Sequence, residues 1–141
     1  MIQNKVGNLI IGHNNRWKDS INIGKVNNQN FFMIPFDKLI SYLKYKCEMA
    51  GINVIDYEES YTSKCDALSL ESISKHDNYK GKRIKRGLFQ SSVGKLINAN
   101  VNGALNIMRK VVNDSYVSKI IDSGQLFRPI KFKDLYSLKD D

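Results

Sequence analysis

Apolar positions recur at helical spacing in two stretches of this chain and gather into short continuous runs between them. In the first stretch Phe36, Leu39, Ile40, Leu43, Cys47 and Ala50 share one face, while Lys38, Ser41, Lys44 and Glu48 lie away from it. Pro35 suits a first helical position and Gly51 a helix end, so the pattern predicts a helix over Phe36–Ala50. Cys47 falls on the apolar face and reads as core. In the second stretch Val101, Leu105, Met108 and Val112 form a stripe that Ala104, Ile107 and Val111 widen. Asn98 or Asn100 can cap that helix, because a short amide can bond the free N–H groups of a first turn. Gly103 weakens it by about 1 kcal/mol against Ala, which close approach of another backbone or a ligand would explain.

The short runs predict strands. Val6–Ile11 and Ile52–Ile55 are apolar, and a helix followed by a strand makes an α/β unit. Leu88–Gln90 and Lys95–Asn98 flank Ser91-Ser92-Val93-Gly94, a polar turn closing on Gly, and predict a hairpin. A hairpin feeding an ordinary amphipathic helix accounts for this last region on pattern alone. His13–Lys18 reads as a polar loop, the segment to Asn30 has no clear period, and Phe31–Ile34 is apolar enough to pack beneath it. Ser69–Tyr79 is polar. Beyond Val112 the pattern fades, which predicts a loose tail with one short helix and a division into 1–112 and 113–141. A domain that opens on a core strand suggests that earlier strands are missing.

Composition sharpens this picture in one respect. The 141 residues are 42% hydrophobic and 26% charged, as in soluble globular domains. Lys and Arg total 22 against 14 acids, a net charge of +8, and a surplus that size points to a polyanionic partner, most simply nucleic acid. The plainer alternative is a soluble basic surface. The densest basic run carries Lys80, Lys82, Arg83, Lys85 and Arg86 between Tyr79 and Gly87, either as a phosphate-contacting segment or as a solvated charged loop. Two cysteines make no disulfide framework, no apolar run approaches the ~20 residues of a membrane span, and no signal peptide opens the chain. The expected location is the cytoplasm, with no membrane partner. Glu58 and Glu59 follow the second strand, where two acids bind a metal or face water.

Several short motifs, in order, carry a resemblance. Leu43-Lys44-Tyr45-Lys46 lies within the first helix. Then follow Tyr61-Thr62-Ser63-Lys64, the basic Arg83–Gly87 run, and Asn98 to Ile107 with Asn100-Val101-Asn102-Gly103-Ala104-Leu105-Asn106-Ile107. Together they resemble the TnpB (OrfB) family, the transposon-encoded RNA-guided nucleases related to type V CRISPR effectors. The resemblance covers about Val6 to Lys110. It implies the second half of a RuvC-type nuclease domain, a partial RNase H-like α/β fold with a short sheet and packed helices. In the intact family carboxylates hold Mg²⁺, a hard cation that favours oxygen ligands. The partners implied are DNA, a guide RNA and, for this chain, a separate N-terminal chain.

The departures from the family pattern decide the expected function. The strand bearing the family's first catalytic Asp is missing, Gly12 stands near the position of its strand-borne Glu, and Asn100 occupies the position of the last catalytic Asp. Many relatives also insert a zinc ribbon with two Cys-X-X-Cys pairs. Here Cys65 is single and His76 does not complete a four-ligand set, so no zinc is expected. The reading is a nucleic-acid-binding C-terminal fragment that does not cleave and holds no cofactor alone. It is the product of a truncated, decayed or split gene, or a repurposed binder. The alternatives are a Mg²⁺-dependent endonuclease completed by a partner chain and a nuclease-dead DNA-binding regulator. The candidate site residues are Glu58, Glu59 and a degenerate Asn100. One of the two acids, Glu59 by preference, is expected to face the cleft about 5–8 Å from Asn100, replacing the acid missing at Gly12.

Overall fold

The computed structural model describes residues 5–13 and 36–127. Strand β1 (Asn8–His13) pairs in parallel with β2 (Asn53–Glu58), in the register Asn8↔Asn53 through His13↔Glu58. Parallel neighbours need a crossover connection, and helix α1 (Phe36–Met49) lies on it, packed against β2. Cys47 on its inner face is buried, and Ile52, whose N–H bonds the Cys47 carbonyl at 2.8 Å, leads directly into β2. The predicted second strand thus extends three residues further, and Glu58 is its last residue rather than part of the following loop. His13, predicted to open the polar loop, is instead the last residue of β1; the rest of that loop (14–18), the Phe31–Ile34 run, Pro35 and the tail from Arg128 lie outside the described residues.

A second sheet is antiparallel, ordered β3 (Lys82–Lys85), β4 (Leu88–Gln90) and β5 (Leu96–Asn98). The β4–β5 hairpin stands where the sequence predicted it, with the Ser91 N–H closing the turn on the Lys95 carbonyl at 2.9 Å. The β3 strand corrects the loop reading of the basic run. Its four side chains are all exposed, so no apolar alternation betrays it. Among the described residues it pairs with β4 alone, as an edge strand does, and its charges guard that edge against further pairing. Gly81 leads into β3 at a point of close approach. A Cβ there would stand 2.4 Å from the Phe89 ring and 3.0 Å from the Gln90 carbonyl. Because Phe89 is core and Gln90 is backbone, Gly81→Ala is expected to destabilise the protein by about 1–3 kcal/mol, measured as a lowered urea midpoint at unchanged m-value.

Helix α2 (Ala99–Val111) follows β5 without a break. Asn98 is its cap, its side-chain oxygen accepting from the Asn100 and Val101 N–H groups at 2.8 and 3.3 Å. Helix α3 (Asp114–Asp122) packs back on α2, capped by Asn113, and a 3₁₀ turn (Gln125–Phe127) follows. The core lies between α2, α3 and the second sheet, built from Ala67, Leu68, Phe89, Ile97, Ala99, Leu105 and Val117. Val117 is fully buried, so the first part of the tail is packed rather than loose. Ala104, expected on the apolar stripe, is exposed instead. No helix among the described residues is long and apolar enough to cross a membrane.

Residues 59–81 have almost no regular structure, yet Thr62, Cys65, Asp66, Ala67, Leu68 and Glu71 are buried. Backbone buried without a ladder needs other partners, and side chains supply them. From α2, Asn102 accepts the Ala67 N–H at 3.0 Å and donates to the Cys65 carbonyl at 2.9 Å. One turn on, Asn106 donates to the Thr62 and Cys65 carbonyls. Arg109 donates to the Glu71 carbonyl and to Asn106, and its Nε reaches Asp114 on α3 at 2.7 Å. Glu71 accepts the N–H groups of Asp66 and Lys80, closing the loop on itself. The Asp66 carboxylate ties the loop to the hairpin, accepting both Ser91 and Ser92 hydroxyls and the Ser92 N–H at 2.8 Å each.

Candidate functional site

Where the strand ends of the first sheet meet the start of α2, the surface opens into a cleft of about 880 Å³. Glu58, Glu59, Tyr61 and Lys64 form one wall, Asn100, Gly103 and Ile107 of α2 another, and Arg83 of β3 reaches in. The cleft therefore unites the three candidate residues Glu58, Glu59 and Asn100 with one member of the basic run. Both acids line it, although strand alternation would admit one. The reason is local: β2 stops at Glu58, and the chain turns at once, with Thr62 bonding back to the Glu59 carbonyl.

The two acids differ in their surroundings. Glu58 is half exposed and engaged by neighbours. Ser60 donates to its Oε1 through both hydroxyl and N–H, and Lys110 lies 3.4 Å from Oε2. The Ser60 hydroxyl, with smaller help from Lys110, outweighs desolvation and holds the Glu58 carboxyl below the usual carboxylate range. Glu59 is half-buried and leans on β1. A Cβ placed on Gly12 would stand 3.0 Å from Glu59 Oε2, 3.2 Å from Glu59 Cβ and 2.5 Å from Ile107 Cδ1. The Ile107 and Glu59 side chains together thus fill the space a side chain at position 12 would take. For Gly103, no atom of the described residues outside its own helix backbone lies within 4 Å of its Cβ position, which leaves the ligand of the two explanations for this glycine. It borders the open cleft, and among the described residues no second backbone approaches it.

The basic residues divide. Lys80, Lys82, Arg83, Lys85 and Arg86 are all exposed. The β3–β4 register slips between Arg83 and Lys85, a bulge at Ile84 that places two residues where the regular pattern has one. Arg83 pairs opposite the buried Phe89, on the side of the cleft, whereas Lys82 pairs opposite Gln90 and Lys85 opposite Leu88. Lys64, which sequence reasoning left out of the basic set, adds a second cation to the cleft. Its place within Tyr61–Lys64 was the available signal.

The donor set does not fit a two-metal site. Glu59 offers a carboxylate, Asn100 an uncharged amide, and Glu58 is held by Ser60 and Lys110. Among the described residues no group of three or more His, Cys, Asp or Glu side chains is arranged to hold a metal ion. Cys65 is fully buried and donates its thiol toward the Ser74 carbonyl, and burial pushes that thiol up from its ordinary pKa. His76 bonds Ser72 and Ser74 instead.

A family model described as Cas12f1-like, TNB domain matches residues 36–107. The chain belongs to this family. The match covers just over half of the chain, from the first residue of α1 to Ile107, and includes both acids, the basic strand and Asn100. It makes the chain a TnpB/Cas12-like, nucleic-acid-associated protein with a small α/β structure. No curated protein matches the chain.

Proposed function

We propose that this Cas12f1-like TNB chain is the C-terminal, RuvC-like part of a TnpB-like RNA-guided endonuclease, that it binds nucleic acid, and that it does not cut alone. One observation carries the binding reading: Arg83 and Lys64 enter the same cleft as Glu59 and Asn100, and the basic strand continues from it. Cations at the cleft and along an exposed edge give a phosphate backbone a continuous path. The parallel β1–β2 pair, crossed over by α1 and followed on by α2, is compatible with a partial RNase H-like sheet. The loop that carries a zinc ribbon in many relatives is read here as zinc-free, held by Asp66, Glu71, Asn102 and Asn106.

A second reading rests on Glu59. Its carboxylate lies against Gly12, where the resemblance puts an acid, so one acid of a family-type cleft is restored from the neighbouring strand. In that reading a partner chain supplies the remaining carboxylates and the complex cleaves.

The deciding assay incubates the purified chain with labelled single- and double-stranded DNA and RNA in Mg²⁺ or Mn²⁺. The expected result is salt-sensitive binding with intact substrate. Asn100→Asp also leaves the substrate intact, since two carboxylates beside an engaged Glu58 still fall short of a two-metal set. Cleavage above that of an Asn100→Ala, Glu59→Ala control would overturn the inactive reading. Absence of any binding at low salt would overturn the binding one.

A further inference from the structure

We infer that Tyr61 is a stacking platform for an unpaired base in the cleft; this rests on the binding reading above and names a residue that grips the strand. The observation is a backbone one. Tyr61 has φ +64, in the left-handed region that Gly or Asn enters readily and a bulky aromatic does not. Lys5 and Leu70 share that region among the described non-glycine residues, but only Tyr61 of the three lines the cleft.

The conformation is over-determined from outside. Thr62 bonds the Glu59 carbonyl, Lys110 the Ser60 carbonyl at 3.0 Å, Lys64 and Cys65 the Tyr61 carbonyl at 3.1 Å, and Asn106 the Thr62 carbonyl at 2.9 Å. Four successive carbonyls are thus fixed, two of them by side chains of α2 and two within the turn itself. The ring does not join the core in return, since Tyr61 is 42% exposed. Backbone strain kept at a residue whose side chain faces a cleft is the signature of a positioned functional group. An exposed aromatic lining one cleft with two cations, Lys64 and Arg83, is a combination that receives a single strand, with the base on the ring and phosphates on the cations. A base held within a duplex presents no free face to such a ring.

The test compares the full-length chain with Tyr61→Gly, Tyr61→Ala and Tyr61→Phe. Probes are a short labelled oligothymidylate, a strand of the same length made of abasic sites, and a duplex. Tyr61→Gly removes the ring and relieves the backbone, so its melting temperature should not fall, and its affinity for oligothymidylate should drop about 5- to 150-fold. Tyr61→Phe should stay within about twofold of the parent, because the ring face is kept. The parent should bind the abasic strand as weakly as Tyr61→Gly binds oligothymidylate, and duplex affinity should not change on substitution. Parent-like binding of oligothymidylate by Tyr61→Gly, or equal parent affinity for abasic and base-bearing strands, would overturn the stacking role and leave the binding reading intact. A parent that binds none of the probes would overturn both.

Discussion

Replacing Asp66 by Ala is expected to lower stability by about 3 kcal/mol, a fall in Tm on the order of 10 °C for a domain of this size. Asp66 is fully buried and its Oδ2 collects three donors from Ser91 and Ser92, while Oδ1 takes the Leu68 N–H. Removing the carboxylate strands a buried Ser91 hydroxyl and unfastens the loop from the hairpin, and an unmet buried donor costs about 1–3 kcal/mol. Burial pushes the Asp66 carboxyl up, but the Ser92 N–H and the two hydroxyls outweigh it, and its pKa lies below the ordinary value. Asp114 is lowered as well, chiefly by its hydrogen bond from Arg109, and Glu58 by Ser60. The sign follows from these directions. A carboxyl with a depressed folded pKa contributes stability that is complete above its unfolded value, near pH 4, and is lost as pH falls through the folded value. Thermal melts should therefore hold steady above about pH 5 and decline below about pH 4, and Asp66→Asn should flatten part of that decline. A melting temperature of Asp66→Ala equal to the parent's would show that the carboxylate does not hold the loop.

The largest functional effect is expected from replacing Lys82, Arg83, Lys85 and Arg86 together by Ala. All four are exposed and take little part in the core, so the fold should survive. If each neutralises one phosphate of a single strand, the slope of log affinity against log salt should become shallower by about 3, from ~0.7 per phosphate. At physiological salt that is a loss on the order of a hundredfold. The bulge adds a distinction within the run. Arg83 faces the cleft and Lys82 and Lys85 pair on the other side of the sheet, so Arg83→Ala alone should weaken binding more than Lys85→Ala in a fluorescence anisotropy titration. An unchanged slope in the quadruple variant would make the run a solvated edge.

The sequence was legible where burial follows a period. Helix α1, the hairpin and α2 were each within reach of their apolar spacing, and the β2 strand of its apolar start. It was not legible where polar groups take the inside. Asn102 and Asn106 stand one turn apart beside Leu105 on the inner face of α2, and both are fully buried. Polarity alone assigns such residues to water, and only their spacing, continued by Arg109, hinted otherwise. Strand β3 was missed for the opposite reason. Its pairing is made by backbone, and its side chains are those of an exposed charged segment. Helix α3 was dim because one buried residue, Val117, anchors nine. Within the site, adjacency in sequence brought Glu58 and Glu59 forward, but the meeting of Glu59 with Gly12 depends on parallel register across two strands, which no local window contains.

That register also bears on the order in which the molecule assembles. Asn8 and Asn53 meet across 45 residues, whereas the hairpin closes over a handful and α2 follows it directly. Closing a long loop costs more chain entropy than closing a short one, and its contacts give nothing back until it is closed. The hairpin, α2 and the loop clasped by Asn102 and Asn106 form the natural early nucleus, and β1 arrives late. Because Glu59 rests on β1, the wall of the cleft that carries the acid is completed last. A complete chain refolding from denaturant is therefore expected to set its basic strand before its acidic wall, and to meet a polyanion with that electrostatic opponent not yet in place.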